Sequence, residues 1–432
     1  MRGLVYLLCA IFLSGCSVQG LYVKGNSLDS YKGSAAAPEI YPVTGGYAVK
    51  AALHNHTNLS HAALTPQELV EVARSRGIAV LGIAEHDSLE ACWSGLFCFR
   101  NPSVQRMGYA AYLAQMRDLQ QQNPDVIVLP GLEVSPYAWW SGFPPLLTLR
   151  DWDVHFTVYN LESAEILDQM PIPGARYPRC CSYHELSGIG RYRDFVSYLT
   201  AAGGLVFQAH PESAARRRFY LVAAETAPHP EYAYLLQELT GFAALPAGTG
   251  KLLEPGGLWD SALAEYLAGK RPRPLWILGD ADFHGADQKL DRVVTWLYTA
   301  GLDKADMLRA MAGGRMVAGR GGALDAVWVK EFALAAPDDP PGRVMCGESV
   351  RDPKATTLRF ALSRSAPGLA LKVIRNGSVI YSGDEPEVVL DESAFLAGEQ
   401  SAFYRVEVSD AGGVLLVTNP VFRPAYPAPT VR

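Results

Sequence analysis

Most histidines of this sequence stand at the ends of short apolar runs, where polar side chains can do chemistry. The chain contains 9 histidines, and only His184 and His229 fall outside this pattern. The others are His54, His56, His61, His86, His155, His210 and His284. Two carboxylates, Glu133 and Asp282, occupy equivalent positions. Neutral imidazole and carboxylate together suit Zn, Mn and Fe, so the pattern predicts a metal site.

The number of candidate ligands indicates more than one metal ion. One ion takes about four to six ligands, so this set would suffice for two or three ions if one carboxylate bridges them. His54-Asn55-His56 brings two rings to one strand end, and Asp282-Phe283-His284 repeats the arrangement. A lone histidine is more often a structural residue, but a whole set in phase with strand ends favours a metal site.

The elements that must position these residues alternate between strand and helix patterns from 49 to about 319. The apolar runs are 49–53, 80–84, 126–129, 154–158, 205–209, 235–239 and 275–278. Each run is short and bounded by polar residues, Gly or Pro, as buried parallel strands are. Repeated β-then-α units favour a closed barrel over an open sheet, and the carboxyl ends of barrel strands share one mouth.

Helix signals separate the apolar runs. Thr65-Pro66-Gln67-Glu68 is a capping box with Pro at the first helical position, and Gly77 ends that helix. Tyr109–Gln122 and 192–202 are also predicted as helices, and Gly203-Gly204 ends the second.

The periodicity changes after a Pro- and Asp-rich linker at 336–342. Short strand patterns follow at 357–362, 371–374, 379–381, 403–408 and 414–418. Asn376-Gly377, between two of them, is a type I′ hairpin signal. The chain is therefore predicted as α/β, with a barrel at 48–325 and a small C-terminal β-sandwich at 345–432. Every candidate ligand precedes the linker, so a chain that ends near 335 is expected to keep its metal and activity.

The first 16 residues resemble a bacterial lipoprotein signal peptide. Arg2 supplies a positive charge, residues 4–13 are apolar but too few to span a bilayer comfortably, and Leu13-Ser14-Gly15-Cys16 is similar to a lipobox. The resemblance implies lipidation of Cys16, anchoring in the cell envelope by several acyl chains, and, with Ser17, sorting to the outer membrane. An ordinary signal peptide is the alternative. Residues 17–47 are predicted as a flexible tether because of their Gly, Ser, Ala and Pro content.

Five cysteines lie outside the signal peptide, namely Cys92, Cys98, Cys180, Cys181 and Cys346. Cys92 and Cys98 are the favoured disulfide pair in an oxidising compartment. Connectivity cannot be deduced from sequence, so all five as free thiols stay an alternative.

The composition argues against a disordered protein and against a nucleic-acid-binding protein. Hydrophobic residues make up 49% and charged residues 19%, which argues against wholesale disorder. The formal net charge of −6 argues against specific or non-specific nucleic-acid binding, which needs a basic surface.

Six segments resemble, in order, the motifs of the polymerase and histidinol phosphatase (PHP) superfamily. They are 53–61, 82–88, 130–135, 153–156, 209–211 and 279–284, and the resemblance covers about 48 to 320. Two positions depart from the family pattern: His61 stands where Asp is usual, and Glu85 stands where Asp precedes the second-motif histidine.

The resemblance implies a distorted (β/α)7 barrel that hydrolyses phosphate esters with two or three divalent ions, Zn, Mn or Fe. Glu133 would bridge metals, and His210, Glu85 and Asp87 are further catalytic candidates. Asp87 or Asp280 could hold ligand histidines from behind. The substrate would be a small anionic phosphate ester, drawn by the positive charge of the ions.

The groups that would contact the substrate are less defined. Two arginine sets, Arg191 with Arg193 and Arg216-Arg217-Arg218, could bind an anion or form solvated faces. Two long loops are aromatic and could wall a pocket or simply pack. Their aromatic residues are Trp93, Phe97, Phe99, Tyr137, Trp139 and Trp140.

Two further functions stay open from the sequence. A barrel of this kind could use the same acidified water to hydrolyse amides or lactones. Alternatively the metals could be structural and the sandwich could act in envelope adhesion or assembly, although structural sites usually need fewer ligands.

Overall fold

The computed structural model describes most of the chain. The described residues are 17–19, 25–35, 37–93, 97–142, 146–172, 189–219, 222–285, 287–321, 327–365, 368–397 and 400–425. The predicted signal peptide with Cys16 lies outside them, as do His184, Cys180 and Cys181.

The described residues form a mixed α/β fold with one large sheet and three smaller ones. The strands are β1 (Ser17–Gln19), β2 (Ile40–Val43), β3 (Gly46–Asn55), β4 (Val80–His86), β5 (Glu90–Trp93), β6 (Phe97–Arg100), β7 (Ile127–Val134), β8 (Trp139–Ser141), β9 (Leu147–Arg150), β10 (Phe156–Tyr159), β11 (Leu205–Gln208), β12 (Ala215–Phe219), β13 (Val222–Thr226), β14 (Gly241–Leu245), β15 (Trp276–Gly279), β16 (Val293–Thr299), β17 (Met316–Arg320), β18 (Val329–Ala335), β19 (Thr357–Leu362), β20 (Ala370–Arg375), β21 (Ser378–Gly383), β22 (Glu387–Asp391), β23 (Ala402–Asp410), β24 (Gly413–Thr418) and β25 (Val421–Arg423).

The helices lie between the strands. They are α1 (Leu28–Tyr31), α2 (Pro66–Ser75), α3 (Val104–Met107), α4 (Tyr109–Gln122), α5 (Ala164–Asp168), α6 (Ile189–Ala201), α7 (Pro230–Leu235), α8 (Leu258–Leu267), α9 (Lys304–Ala312) and α10 (Ser393–Leu396). The capping box that starts α2 is present. The Thr65 side chain accepts a hydrogen bond from the Glu68 N–H, and the Glu68 carboxylate accepts one from the Thr65 N–H. Gly77 follows α2 with φ +70°.

Seven neighbouring strands of the large sheet surround the predicted ligands, and all of them except β14 carry one or lie close to one in sequence. Their order is β15-β14-β11-β10-β7-β4-β3. The expectation of uniformly parallel strands is wrong at β10, which runs antiparallel to both β7 and β11. The reason is the connection from β7 to β10: it contains β8 and β9 and, in its described residues, no helix that returns the chain to the other end of the sheet. The chain therefore re-enters the sheet at the end where it left.

The first and last of these seven strands meet where the ligands lie. Residues after β15 bond to the end of β3: Ala281 N–H donates to the Leu53 carbonyl at 3.0 Å, and His56 N–H donates to the Phe283 carbonyl at 2.9 Å. Asn55 and Phe283 form a parallel bridge. These bonds place the ligand-bearing residues of β3 beside those that follow β15.

One predicted strand is wrong. The range 235–239 is not a strand, because Pro230–Leu235 form helix α7 and the strand of this region is β14. Pro at the first helical position is pre-organised for a helix, and this local signal prevailed over the apolar run.

The C-terminal strands pack directly on the strands that carry the site. All five predicted strand patterns are present as β19, β20, β21, β23 and β24, and Asn376 and Gly377 both have positive φ, as the hairpin signal requires. Strand β17 pairs with β24, so the large sheet continues into this part of the chain. Strand β18 precedes the linker but pairs with β19 beyond it.

The segment predicted as a flexible tether is folded over much of its length. Strand β2 pairs with β3, and Ala35 N–H donates to the Ser75 carbonyl at the end of α2. Residues 25–35 and 37–47 therefore belong to the folded unit, because the side chain of Tyr31 is buried in the common core. Within the described residues, no helix is both long enough and apolar enough to cross a membrane.

Candidate metal centre

The predicted ligands converge at one end of the seven strands. His54 and His86 lie at the ends of β3 and β4, and Glu133 lies near the end of β7. His155 immediately precedes β10, so the reversed direction of this strand brings it to the same end as its neighbours. The remaining predicted ligands are His56, His61, His210, Asp282 and His284, which stand in the loops that follow β3, β11 and β15.

Three of these residues have a left-handed backbone. The φ angles of His54, His210 and Asp282 are +60°, +29° and +42°. Each such conformation costs about 1–3 kcal/mol in a non-glycine residue and persists where surrounding contacts hold it. At His54 the backbone N–H donates to the buried hydroxyl of Tyr159 at 2.9 Å.

Glycines make room for that tyrosine. A Cβ on Gly131 would lie 2.7 Å from the Tyr159 ring, and a Cβ on Gly82 would lie 3.1 Å from its hydroxyl. The ring therefore occupies the space between β4 and β7 that larger residues would fill, and it supports the site from below.

The carboxylate of Glu133 lies at the centre of the cluster. Its Oε1 atom lies 3.0 Å from His54 Nε2, 2.8 Å from His155 Nδ1 and 3.3 Å from His210 Nε2. Its Oε2 atom lies 2.9 Å from His86 Nδ1 and 3.3 Å from His56 Nε2. Both oxygens thus face histidine nitrogens, as a carboxylate that bridges two cations would.

Asp282 and His284 extend the cluster on its more open side. Asp282 Oδ1 lies 3.6 Å from the Nε2 atoms of both His54 and His56, and 3.5 Å from His284 Nδ1. The side chain of Asp282 is 37% exposed, whereas that of Glu133 is 1% exposed. The His61 ring lies 4.5 Å from that of His284, so all nine predicted ligands occupy one region.

Four groups of side chains present ligand atoms within 4.8 Å of one another. They are His56, His86 and His284; His54, His56, Glu133 and Asp282; His86, Glu133 and His155; and Asp153, His155 and His210. Shared members such as His56 and Glu133 are typical of a multi-metal site. The sequence reasoning missed Asp153, although the carboxylate stands two residues before His155 in a segment that already carried the family resemblance.

The donor set fits divalent metal ions. Several buried polar atoms have no hydrogen-bond partner among the described residues. In the cluster these atoms are His54 Nε2, His56 Nδ1 and Nε2, His61 Nδ1, His155 Nδ1 and Glu133 Oε2. Buried polar atoms normally have hydrogen-bond partners. Imidazole nitrogens that lack such a partner and lie close to a carboxylate are suited to ligate a cation.

The electrostatics of the cluster favour positive charge at His56 and His210. Burial alone would lower the pKa of His56, but the nearby carboxylates of Asp282 and Glu133 outweigh burial and raise the pKa to about 9. For His210 burial also opposes protonation, and the hydrogen bond to Glu133 with the charge of Asp282 raises the pKa to about 9. Burial would raise the pKa of Glu133, but the charges of His155 and His54 hold it well below its usual range. The carboxylate is therefore ionised and attracts positive charge.

The other side of the cluster is neutral. Burial, reinforced by the charge of His56, lowers the pKa of His86 to about 3 and that of His284 to about 4. Burial lowers the pKa of His61 strongly. These rings keep a free lone pair at neutral pH, which is the form that binds metal.

Two buried carboxylates hold the ligands from behind. Asp280 Oδ1 lies 2.7 Å from His54 Nδ1, as the sequence predicted for one of two candidates. Glu85 accepts hydrogen bonds from the backbone and hydroxyl of Thr57 and from the hydroxyl of Ser60. Its Oε2 atom is 3.9 Å from His56 Nδ1, so the structure places Glu85 beneath the loop that carries His56 and His61.

The remaining predicted residues lie outside the cluster. Asp87 accepts from the Tyr109 hydroxyl, and its N–H donates to the Glu133 carbonyl. His229 lies between Asp151 and Glu231, at 3.4 and 3.1 Å, and stacks on Tyr232. Strand β12 carries Arg216-Arg217-Arg218, all exposed, and Arg191 and Arg193 are exposed near the start of α6.

Three of the aromatic residues predicted as a pocket wall have separate environments, and the side chains of the other three, Trp93, Phe97 and Phe99, lie outside the described part of the structure. Trp140 is buried in a small cluster with Leu147 and Val222. Trp139 Nε1–H donates to Asp151 at 3.1 Å, and Tyr137 is buried in the main core. The backbones of β5 and β6 pair Cys92 with Cys98 in register, and the disulfide stays a prediction.

Comparison with known proteins yields little. No protein-family model matches the sequence, and no curated protein matches it. A crystal structure of a two-domain protein from Bacteroides vulgatus ATCC 8482, described as containing a predicted PHP-like metal-dependent phosphoesterase, is similar at 13% identity. The match covers 90% of this chain and 100% of that one, with a TM-score of 0.43. A similarity this low carries no functional inference, and the function of this chain has to be inferred from its own residues.

Proposed function

We propose that this protein is a metal-dependent hydrolase of phosphate esters, built on a distorted seven-stranded barrel. The observation that carries the proposal is the placement of Glu133, whose two oxygens lie within 3.3 Å of five histidine nitrogens. A structural metal site needs about four ligands and is closed. A larger cluster with an exposed side at Asp282 suits catalysis.

Two or three divalent ions would be held by nine residues. They are His54, His56, His61, His86, Glu133, His155, His210, Asp282 and His284, with Asp153 as a further ligand. When bound, such ions supply Lewis acidity, which neutralises phosphate charge and acidifies water. The family resemblance of the six sequence motifs favours a phosphate ester over an amide or lactone.

The residues of the chain position this chemistry. Asp280 fixes the His54 ring, and Glu85 fixes the loop from Thr57 to Ser60. The substrate would approach from the side of Asp282 and His284, whose side chains are 37% and 18% exposed. His210, with a 14% exposed side chain, is the most exposed of the five histidines that face Glu133 and would contact the substrate.

We further propose that Cys16 is lipidated and anchors the protein in the cell envelope of a bacterium. The support is the lipobox-like Leu13-Ser14-Gly15-Cys16. Changing Cys16 to Ser should release the protein from membranes, because several acyl chains anchor a protein stably. A variant that still sediments with membranes in high salt would refute this anchor.

A substrate panel tests the activity. The purified protein, loaded with Mn, Zn or Fe, should hydrolyse phosphomonoesters or phosphodiesters and lose this activity with chelator. Turnover of amides or lactones without phosphate esters would replace the proposed function. No turnover of any substrate by the fully loaded protein would favour a structural role for the metals.

A further inference from the structure

We propose that the open side of the metal centre faces a lipid bilayer and that the substrate is the phosphorylated headgroup of a membrane lipid. This inference rests on the proposed phosphoesterase function and on lipid attachment at Cys16. Three observations carry it: the place where the folded chain begins, the backbone pairing of the residues next to Cys16, and a sheet that projects from the site.

The folded chain begins beside the metal centre. A Cβ on Gly25 would lie 3.0 Å from the side chain of Ala63, which stands two residues after His61. The next residue, Asn26, donates through Nδ2 to Asp287 at 3.4 Å, three residues after His284. The described segment that begins at Gly25 therefore starts between the two loops that carry these ligands.

Chain length then limits the distance to the bilayer. Cys16 stands nine residues before Gly25, and an extended residue spans at most about 3.3–3.6 Å. Cys16 thus lies within about 30 Å of Gly25 whatever path the intervening chain takes. Since acyl chains on Cys16 would insert in the bilayer, this length keeps the membrane surface within about 30 Å of the ligand-bearing end of the fold.

An independent backbone contact places the anchor at the same end. Strand β1 begins at Ser17, directly after Cys16, and pairs with β6, with Ser17 opposite Cys98. Strand β6 forms a hairpin with β5, and Asn101 N–H closes the base of this hairpin on the Leu89 carbonyl. The hairpin follows β4, which ends at the ligand His86.

A four-stranded sheet projects from the rim of the site. Its strand order is β12-β13-β9-β8. The ends of β9 and β13 lie at the rim, because Asp151 N–H donates to the Glu225 carbonyl and Asp153 N–H donates to the Thr226 hydroxyl. These strands run parallel, so both begin about 13–17 Å away from the rim. At that far end Leu146 is 76% exposed.

The sheet also presents positive charge. Arg216, Arg217 and Arg218 on β12 are exposed, and Arg216 lies 3.1 Å from Glu225 on the neighbouring strand. An exposed large apolar side chain beside consecutive arginines suits the interface of an anionic membrane, where the apolar residue enters the headgroup region and the arginines meet phosphate. With the anchor and this sheet on the bilayer, the exposed side of the cluster faces lipid headgroups.

The orientation can be measured without activity. A fluorescent amino acid is encoded at position 146 of the lipidated full-length protein, which is reconstituted into vesicles that contain brominated lipids. We expect several-fold stronger quenching at 146 than at position 389, because Val389 is a matched exposed residue, 68% exposed, on the C-terminal strand β22. Equal or weaker quenching at 146, or absence of acyl groups on Cys16, would overturn the orientation.

A second experiment tests whether the protein prefers a lipid substrate in its own membrane. The lipidated, metal-loaded protein is given phosphatidic acid or phosphatidylglycerol in its own phosphatidylcholine vesicles or in separate ones, with a soluble phosphate ester in parallel. We expect at least 10-fold faster turnover of a lipid in the same vesicle. Leu146→Glu should lower the ratio of lipid to soluble turnover by about 10-fold, as loss of one buried Leu would, and Val389→Glu should not.

The outcomes separate the two proposals. Turnover of the soluble ester with no preference for lipid in the same vesicle would refute the membrane-facing site alone. Absence of turnover of both lipid and soluble ester would refute the phosphoesterase function and this inference with it. An unchanged ratio in Leu146→Glu would refute the contact of the projecting sheet with the bilayer.

Discussion

His54 Nδ1 lies 2.7 Å from Oδ1 of Asp280, and both side chains are buried. This carboxylate favours the tautomer with the proton on Nδ1, which leaves Nε2 as a free lone pair directed at Glu133 and the metal positions. Asp280 also accepts the N–H of Asp282 at 3.0 Å. One carboxylate therefore positions two ligands that come from opposite ends of the ligand-bearing sequence.

Asp280→Asn should lower metal affinity or turnover by about 10- to 100-fold, as loss of such an outer partner does. The amide keeps the size but loses the charge that holds the imidazole proton. Metal titration measures the affinity. Asp384→Asn, at an exposed carboxylate in the connection between β21 and β22, is the control, and an equal effect in both variants would contradict the role of Asp280.

Glu133→Gln should lower metal content and reduce phosphoester turnover by on the order of 100-fold or more. Gln retains the shape but loses the charge and one acceptor face, and five histidines face this carboxylate. Elemental analysis and initial rates check both effects. Glu392→Gln is the matched control, because Glu392 is also buried but contacts Arg375 and Tyr404 instead of histidines.

Near-normal turnover in Glu133→Gln would place the reaction elsewhere. His229, which falls outside the pattern of the other histidines, is not a clean control. It contacts Asp151, two residues from the candidate ligand Asp153, so its removal could disturb the rim.

The protein without its first 16 residues should bind two to three transition-metal ions per chain. Because the ligands come from strands across the whole fold, metal that binds only the folded state should also stabilise it by mass action. Chelator should therefore lower Tm, and added metal should restore it in a concentration-dependent way. Elemental analysis that finds no metal even after reconstitution would refute the site.

The convergence of the nine candidate ligands was predictable because strand ends are visible in sequence. Histidines and carboxylates after buried runs reach a common end of a parallel sheet, and all nine predicted ligands lie in one region. Asp153 was missed because it precedes β10 instead of following a strand. That strand is reversed, which is a property of the connection from β7 and not of the local residues.

The N-terminal segment was misjudged for a similar reason. Gly, Ser, Ala and Pro are typical of linkers, but Arg76 Nε–H donates to the carbonyl of Tyr31, and the Tyr31 ring contacts Phe283 edge-on at 6.0 Å. These partners are distant in sequence, so composition could not reveal them. The strand predicted at 235–239 failed because an apolar run alone does not distinguish a helix end from a strand.

Removal of the chain after 335 should destabilise the whole protein, in contrast to the sequence-based expectation that the truncated chain stays active. Strand β17 would lose its partner β24. The truncation would also remove Asn419, whose side chain accepts a hydrogen bond from the Ile277 N–H at 2.8 Å and donates one to the Ile277 carbonyl at 2.8 Å. Strand β15 would then lose both hydrogen bonds. A soluble truncated protein with full metal content would contradict this.

A single buried ion pair tests the same coupling without truncation. Arg405 of β23 lies 2.6 Å from Asp260 of α8, with exposed fractions of 0% and 2% for the side chains, and it donates to the Leu253 carbonyl at 3.0 Å. Arg405→Leu should lower the free energy of unfolding by about 3–5 kcal/mol, because it leaves Asp260 charged and buried without its cationic partner. Arg405→Leu with Asp260→Leu should recover much of this loss, since replacing both partners of a buried pair by apolar residues is often neutral.

Denaturant unfolding measures both variants, and the metal content of the folded fraction should be unchanged, because neither residue lies in the cluster. A loss below about 1 kcal/mol would mean that the pair behaves like an exposed one and that the C-terminal strands do not stabilise the metal-binding part through it.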